Sequence, residues 1–188
     1  MPIFRRSAPK ESLAVSMAAV KLGDRVLFVG AADPALVAAL ASKTGLTGAA
    51  SLVEPDQQRL DRAREAVERA GALIDTACAP LTLLPYEAAS FDIAILRDVL
   101  ATLQPETRVR ALQQVHRVLR PGGRVMAIET AMRAGLGALI SRRTLDEHYV
   151  RHGGARRALE AEHFAGVRVI AEREGLVFVE GARPNRTS

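Results

Sequence analysis

Apolar positions along the chain alternate between two rhythms. Short apolar runs read as strands: "RVLFVG", of buried type, then "AASLVEP", "ALIDTACA", "SFDIAILRDVL" and "RVMAIET". Between them, apolar residues recur at helical spacing. Leu13, Met17 and Val20 mark a first helix within Glu11 to Lys21. "DPALVAALASKTG" is a second, with Asp33 as N-cap, Pro34 at the first helical position and Gly45 at the stop. "DQQRLDRAREAVERAG" turns Leu60, Ala63, Val67 and Ala70 to one face. "PETRVRALQQVHRVLRPGG" turns Val109, Leu112, Val115 and Leu119 inward and is expected to stop at Pro121-Gly122-Gly123. Strands alternating with helices predict an α/β fold, a Rossmann-like doubly wound parallel sheet with helices on both faces. The end of the chain breaks the pattern. "GVRVIAEREGLVFVEG" predicts two antiparallel strands joined at "EREG", with Gly175 at a positive φ. Residues 131–163, between the fifth strand and this hairpin, are expected to form a short, loosely packed helical cap.

A length of 188 residues suits one domain, placed at 11–188 behind a basic tail at 1–10. Hydrophobic residues make up 48% and charged residues 25%, a globular composition without a run long enough to span a bilayer. Cys78 is the only cysteine, which excludes an internal disulfide and a multi-cysteine metal site. A packed core thiol is the expectation for it, and a cytoplasmic location for the chain. Net charge is +5, which favours anionic partners. The cations are scattered and Trp is absent, so a solvated basic surface is preferred to a nucleic-acid footprint.

In a doubly wound sheet, ligands bind at the carboxyl ends of the strands, where strand order reverses. The turn after Val29 belongs there. Glu54, at the end of the second strand, sits near the roughly 20-residue spacing expected of a ribose-binding acid. A dinucleotide needs G-x-G-x-x-G, and this turn offers Gly30, Ala32 and Ala35. Asp33 also fills the anion site at the helix start with negative charge. A cationic cofactor without phosphate suits such a turn, and S-adenosylmethionine meets that description.

Five segments follow one another as they do in class I S-adenosylmethionine-dependent methyltransferases: "GDRVLFVGAADPALVAALA", "VEPDQQRLDRAREA", "LLPYEAASFDIAILRDVLATL", "LQQVHRVLRPGGRVMAIE" and "FAGVRVIAEREGLVFVEG". The chain resembles the variety related to ubiquinone and menaquinone biosynthesis methyltransferases, over about Leu13 to Gly181. Leu84-Pro85 spaced to Phe91-Asp92, and "RVLRPGG" from Arg117 to Gly123, are the most specific pieces. The resemblance implies a seven-stranded sheet with its last strand antiparallel. It implies S-adenosylmethionine as cofactor, held by Gly30, Ala31, Ala32, Glu54, Pro55, Pro80, Leu81 and Arg97.

The departures are specific. The acidic residue that usually ends the first strand is Phe28. The G-x-G-x-G turn reads Gly30, Ala32 and Pro34, and the aspartate that usually holds the adenine amine is replaced by Pro80. The histidine common after the fourth strand is Ala101. Two readings follow: a variant cofactor turn in which small alanines still leave room, or a relic whose polar anchors are gone. If Phe28 points into the core, the first survives; if its ring fills the ribose space, the second does.

For methyl transfer, Asp98 and Glu129 are the candidate general bases, ahead of His148 and Tyr149. The bland alternatives are a helix N-cap for Asp98 and a water-facing strand end for Glu129. His148 and His152 at i and i+4, beside Glu147, make half a metal site without a third ligand, so no metal is expected. His116 is expected on the surface. Arg142, Arg143, Arg151, Arg156 and Arg157 beside "GLGALI" give the cap a basic, partly apolar character. That suits an anionic or amphipathic small-molecule acceptor in a pocket left open or completed by a second subunit of a homodimer. The competing functions are a non-catalytic scaffold of the same fold and an RNA methyltransferase.

Overall fold

The computed structural model describes residues 12–131 and 146–185. The basic tail at 1–10 and residues 132–145 of the expected cap, with "GLGALI", Arg142 and Arg143, lie outside the described residues. Seven strands form one sheet in the order β3-β2-β1-β4-β5-β7-β6. They are β1 (Arg25–Val29), β2 (Ala49–Val53), β3 (Asp75–Ala77), β4 (Phe91–Arg97), β5 (Leu119–Thr130), β6 (Ala165–Arg173) and β7 (Leu176–Ala182). The first five run parallel, and β7 is antiparallel to both β5 and β6. The hairpin turn puts Glu174 at φ 54° and Gly175 at φ 73°, the two positive values of a type I′ turn.

The period-2 alternation of β1 explains the two cores. Leu27 and Val29 face one way, into a cluster with Leu96, Leu112 and Tyr149. Val26 and Phe28 face the other, among residues that include Leu36, Leu40, Leu52 and Ile95. Helices α1 (Leu13–Ala18), α2 (Pro34–Thr44) and α3 (Gln57–Arg69) cover the second face. Helices α4 (Pro105–Val118), α5 (Glu147–Arg151) and α6 (Gly154–Ala161) lie on the first. Phe28 is 2% exposed, and burying a ring of that size stabilises by about 1.5–3 kcal/mol. The caps of α2 form as the sequence dictates: Asp33 accepts from the Leu36 amide at 3.0 Å and Gly45 ends the helix.

Several expectations are corrected. Helix α1 spans only Leu13–Ala18. Ala70 is exposed at the end of α3. Helix α4 does not run to Pro121-Gly122-Gly123. It ends at Val118, because Arg120 precedes a proline and is pushed out of the helical region. Pro121 to Gly123 bulge within β5, where pairing passes from Phe91–Leu119 to Ile93–Arg124. Val109 is 40% exposed. The buried face of α4 carries Arg108, Ala111, Leu112, Val115 and Val118 instead. Cys78 is exposed, since β3 ends before reaching it. Helices α5 and α6 are packed rather than loose, with Tyr149, Ala155 and Leu159 buried.

Candidate functional site

Strand order reverses between β1 and β4, and the turns leaving these two strands meet there. Gly30 has φ +83°, and a Cβ on it would lie 2.6 Å from Val99 Cγ2. Only glycine fits that backbone against the β4 turn. The next residue, Ala31, donates its amide to Glu54 Oε2 at 2.7 Å. Glu54 Oε1 accepts the Asp56 amide at 3.2 Å, and Arg59 Nε stands 3.7 Å from Oε2. The carboxylate is buried. One hydrogen bond to each oxygen leaves each a further acceptor position. Phe28 lies in the core and not across the strand ends, which removes the obstruction that the relic reading requires.

Arg97 and Asp98 end β4 beside this turn. Asp98 is held at φ 49°, a left-handed conformation that Asp tolerates better than most residues. Its Oδ1 accepts the Thr130 amide at 2.7 Å, and its Oδ2 accepts the Thr130 hydroxyl at 2.9 Å. Arg97 Nη1 lies 2.7 Å from Asp98 Oδ2 and also reaches Thr130 Oγ1 and the Ile128 carbonyl. Arg97 Nε stands 3.9 Å from Asp33 Oδ2. Asp98 is therefore no helix N-cap: it ties the ends of β4 and β5 together.

Glu129, at the end of β5, does not face water. Tyr149 donates its hydroxyl to Glu129 Oε1 at 2.8 Å, and the Ala155 amide donates to Oε2 at 3.3 Å. Burial raises the Glu129 pKa, Asp98 adds to the rise, and the two hydrogen bonds and Arg108 oppose it. Burial beside this carboxylate also pushes the Tyr149 hydroxyl up. Arg108 lies 4.0 Å from the Tyr149 ring centroid. Its Nε donates to the Leu100 carbonyl at 2.8 Å, and its Nη2 to the Leu103 carbonyl and Asp146. The Arg108 hydrogen bond holds the Asp146 carboxyl below its ordinary value. Arg108, Thr130 and Val99 were not singled out in the sequence. Arg108 had a legible signal, a lone cation on the 108-111-112-115-118 stripe.

The remaining candidates are more scattered. Leu81 is buried, while Pro80 is exposed in the loop beyond β3. Pro55 follows Glu54, and its carbonyl lies 3.5 Å from the Cys78 thiol. His148 and His152 stack with centroids 3.9 Å apart, and His152 Nδ1 lies 2.8 Å from the His148 carbonyl. Among the described residues no three His, Cys, Asp or Glu gather as metal ligands. His116 is only partly at the surface: the residue is half-exposed, its Nε2 is buried without a partner, and its ring meets Phe164 edge-on at 5.2 Å. A cleft of about 660 Å³ lined by Thr44, Gly45, Gly48, Ala70 and Asp75 lies at the amino ends of the strands, away from this site.

Comparison with known proteins gives this geometry a family. Residues 27–127, from β1 to β5, match the family model described as a methyltransferase domain. The chain is 31% identical over 115 residues to the ubiquinone/menaquinone biosynthesis C-methyltransferase UbiE of Ralstonia pickettii (strain 12J), covering 61% of this chain and 46% of that protein. It is 28% identical over 119 residues to the protein of the same name from Bordetella parapertussis, covering 63% and 45%. The chain thus spans a little under half the length of these curated relatives. A SAM-dependent methyltransferase from Aquifex aeolicus superposes with a TM-score of 0.72 at 17% identity, over 89% of this chain and 86% of that one. The [4+2]-cyclase SpnF superposes at 0.69 and 17% identity, over 92% and 79%. Both structures share the Rossmann-like fold with this chain. The match across β1 to β5, on a sheet of this order, makes the chain a member of the methyltransferase domain family.

Proposed function

We propose that the chain binds S-adenosylmethionine and transfers its methyl group to a small-molecule acceptor. One observation carries the reading: the first turn and the acidic end of β2 meet at the strand-order reversal, Ala31 amide to Glu54 carboxylate at 2.7 Å. The residues present fit such a cofactor. Glu54 keeps an acceptor position on each oxygen for the two ribose hydroxyls. Gly30 lets a ligand approach the backbone, and Asp33 places a carboxylate where a sulfonium, not a phosphate, is welcome. Ala32 leaves a small profile beside the turn, and Pro55, Pro80 and Leu81 offer apolar surface toward the adenine side. The lost glycines and the lost adenine aspartate weaken the polar grip without blocking the site.

The cofactor supplies a methyl group on a cationic sulfur, ready for in-line displacement. The protein's task is then to align the acceptor, exclude water and, for a carbon or hydroxyl acceptor, take up a proton. Asp98 has both carboxylate oxygens engaged by Thr130 and Arg97, so its role is to hold Arg97. Glu129 is the better base: no guanidinium pairs with its carboxylate among the described residues, and its Oε2 takes only the longer 3.3 Å contact of the Ala155 amide, whereas Asp98 is held by short contacts on both oxygens and by Arg97. Its half-buried carboxylate has raised proton affinity, and Tyr149 fixes its orientation.

Calorimetric titration with S-adenosylhomocysteine tests the reading. Micromolar binding is expected, weakened about tenfold in Glu54→Gln, which keeps one acceptor for the Ala31 amide but loses the charge. No heat at millimolar ligand with well-folded protein overturns it.

A further inference from the structure

We propose that Arg97 and Asp33 form a zwitterion receptor for the amino-acid end of the cofactor, in place of the backbone grip that the missing glycines would give. The inference rests on the cofactor reading above. Its starting point is the incomplete bonding of Arg97. The side chain is only 16% exposed, so its donors need partners. Every hydrogen bond it makes comes from Nη1: to the Ile128 carbonyl, to Thr130 Oγ1, and in the ion pair to Asp98. Nε and Nη2 make none among the described residues. The nearest anion, Asp33 Oδ2, is 3.9 Å from Nε, beyond hydrogen-bond range. Neither atom is sealed off: His116 Nε2 is the buried, unpartnered side-chain atom among the described residues.

Nε and Nη2 are the parallel edge of the guanidinium, the edge that grips a carboxylate with two hydrogen bonds. Asp98 and Thr130 brace the opposite edge, so the free edge is pre-oriented. Asp33 supplies the complement. Its Oδ1 is used by the Leu36 amide as a cap, and its Oδ2 makes no hydrogen bond among the described residues. A free carboxylate alone would be attracted by Arg97 and repelled by Asp33. A phosphate would be repelled more strongly. An α-amino acid carries a carboxylate and an ammonium on one carbon and satisfies both charges at once. The pair stands at the reversal of strand order, beside the turn that has Ala32 and Pro34 where the family has glycine.

The test compares three ligands by calorimetry: S-adenosylhomocysteine, its decarboxylated 3-aminopropyl analogue, and 5′-methylthioadenosine, which lacks the whole amino-acid end. Wild type is expected to prefer the first over the third by roughly tenfold or more, the size of a charge-assisted contact. Arg97→Met should erase the preference for S-adenosylhomocysteine over the decarboxylated analogue and leave methylthioadenosine binding unchanged. Asp33→Asn, which keeps the helix cap, should erase the preference for the analogue over methylthioadenosine. An unchanged ranking in both variants overturns the receptor while the cofactor reading stands. Equal weakening of all three ligands by Arg97→Met makes Arg97 a brace between β4 and β5, and also overturns it. Failure of all three ligands to bind folded wild type overturns the cofactor reading, and this inference with it.

Discussion

Tyr149 donates its hydroxyl to the half-buried carboxylate of Glu129 at 2.8 Å, joining α5 to the end of β5. Arg108 beneath the tyrosine ring extends the contact to the turn after β4. The turn after β4, helix α5 and the end of β5 are thus joined beside the strand ends. Because the acceptor of the tyrosine hydrogen bond titrates, the junction has a pH dependence.

Glu129→Gln tests its sign. Burial places the folded pKa of Glu129 above its ordinary value of 4.5, so the folded state holds a proton that the unfolded state has lost. Stability then falls as pH rises from about 4.5 toward the raised folded value, and the penalty is complete above it. A glutamine keeps an acceptor for Tyr149 and cannot ionise. Urea unfolding between pH 4.5 and pH 8 should show this falling component in wild type and not in the variant. Parallel profiles for the two proteins would mean that Glu129 is not shifted upward.

Tyr149→Phe removes the hydroxyl and leaves Glu129 with the longer Ala155 contact at 3.3 Å. Losing a donor to a half-buried carboxylate should cost about 1–3 kcal/mol in urea unfolding near neutral pH. The same loss pushes the Glu129 pKa further up, so the falling limb of the stability profile should extend to higher pH than in wild type. A variant as stable as wild type would show the hydrogen bond to be absent in solution.

His116 gives the opposite sign. Burial, Arg183 and His163 lower its pKa from the ordinary 6.5, so the unfolded chain binds a proton before the folded chain does. Stability should therefore drop as pH falls below about 6.5, until the folded histidine also protonates. His116→Phe keeps a ring against Phe164 and removes the unpartnered Nε2. Thermal unfolding of the variant should lose this acid-side drop, with a midpoint at pH 7 no lower than that of wild type. An undiminished drop would assign the effect to other groups.

The sheet was legible because β1, β2, β4 and β5 carry buried runs and the helices between them stripes, and Asp33 and Gly45 punctuate α2 as capping chemistry requires. What was misread turns on competition between neighbours. Pro121 shortened α4 by restricting Arg120, which freed Leu119 to begin β5; separately, Arg108 and not Val109 takes the inward position in the second turn of α4. Near the strand-order reversal, the positions of Glu54 and Arg97 were legible because a strand-end acid and a charged pair after β4 have a place in the fold. The partners that define their roles were not legible. The Ala31 amide reaches Glu54 from 23 positions away, and Thr130 and Ile128 reach Arg97 from 33 and 31 positions away on a neighbouring strand, and no local spacing encodes that approach.

Gly30→Ala probes the closest approach in the site. A Cβ there would meet Val99 Cγ2 at 2.6 Å on a backbone held at φ +83°. Two penalties add: the left-handed conformation, about 1–2 kcal/mol, and overpacking against the buried valine, about 1–3 kcal/mol. Val99→Ala alone opens a small cavity and should be mildly destabilising. Combined with Gly30→Ala it removes the clashing methyl, so the double variant should be more stable than the sum of the singles implies, with a coupling of about 0.5–3 kcal/mol. Only the steric part is relieved; the conformational cost at residue 30 remains. S-adenosylhomocysteine affinity should fall in Gly30→Ala and stay low in the double variant, because the added methyl still stands beside the turn that the ligand must approach. Strict additivity in urea unfolding would mean that Val99 does not press on Gly30. Full recovery of affinity in the double variant would mean that ligand binding depends on the packing behind the turn and not on the glycine itself.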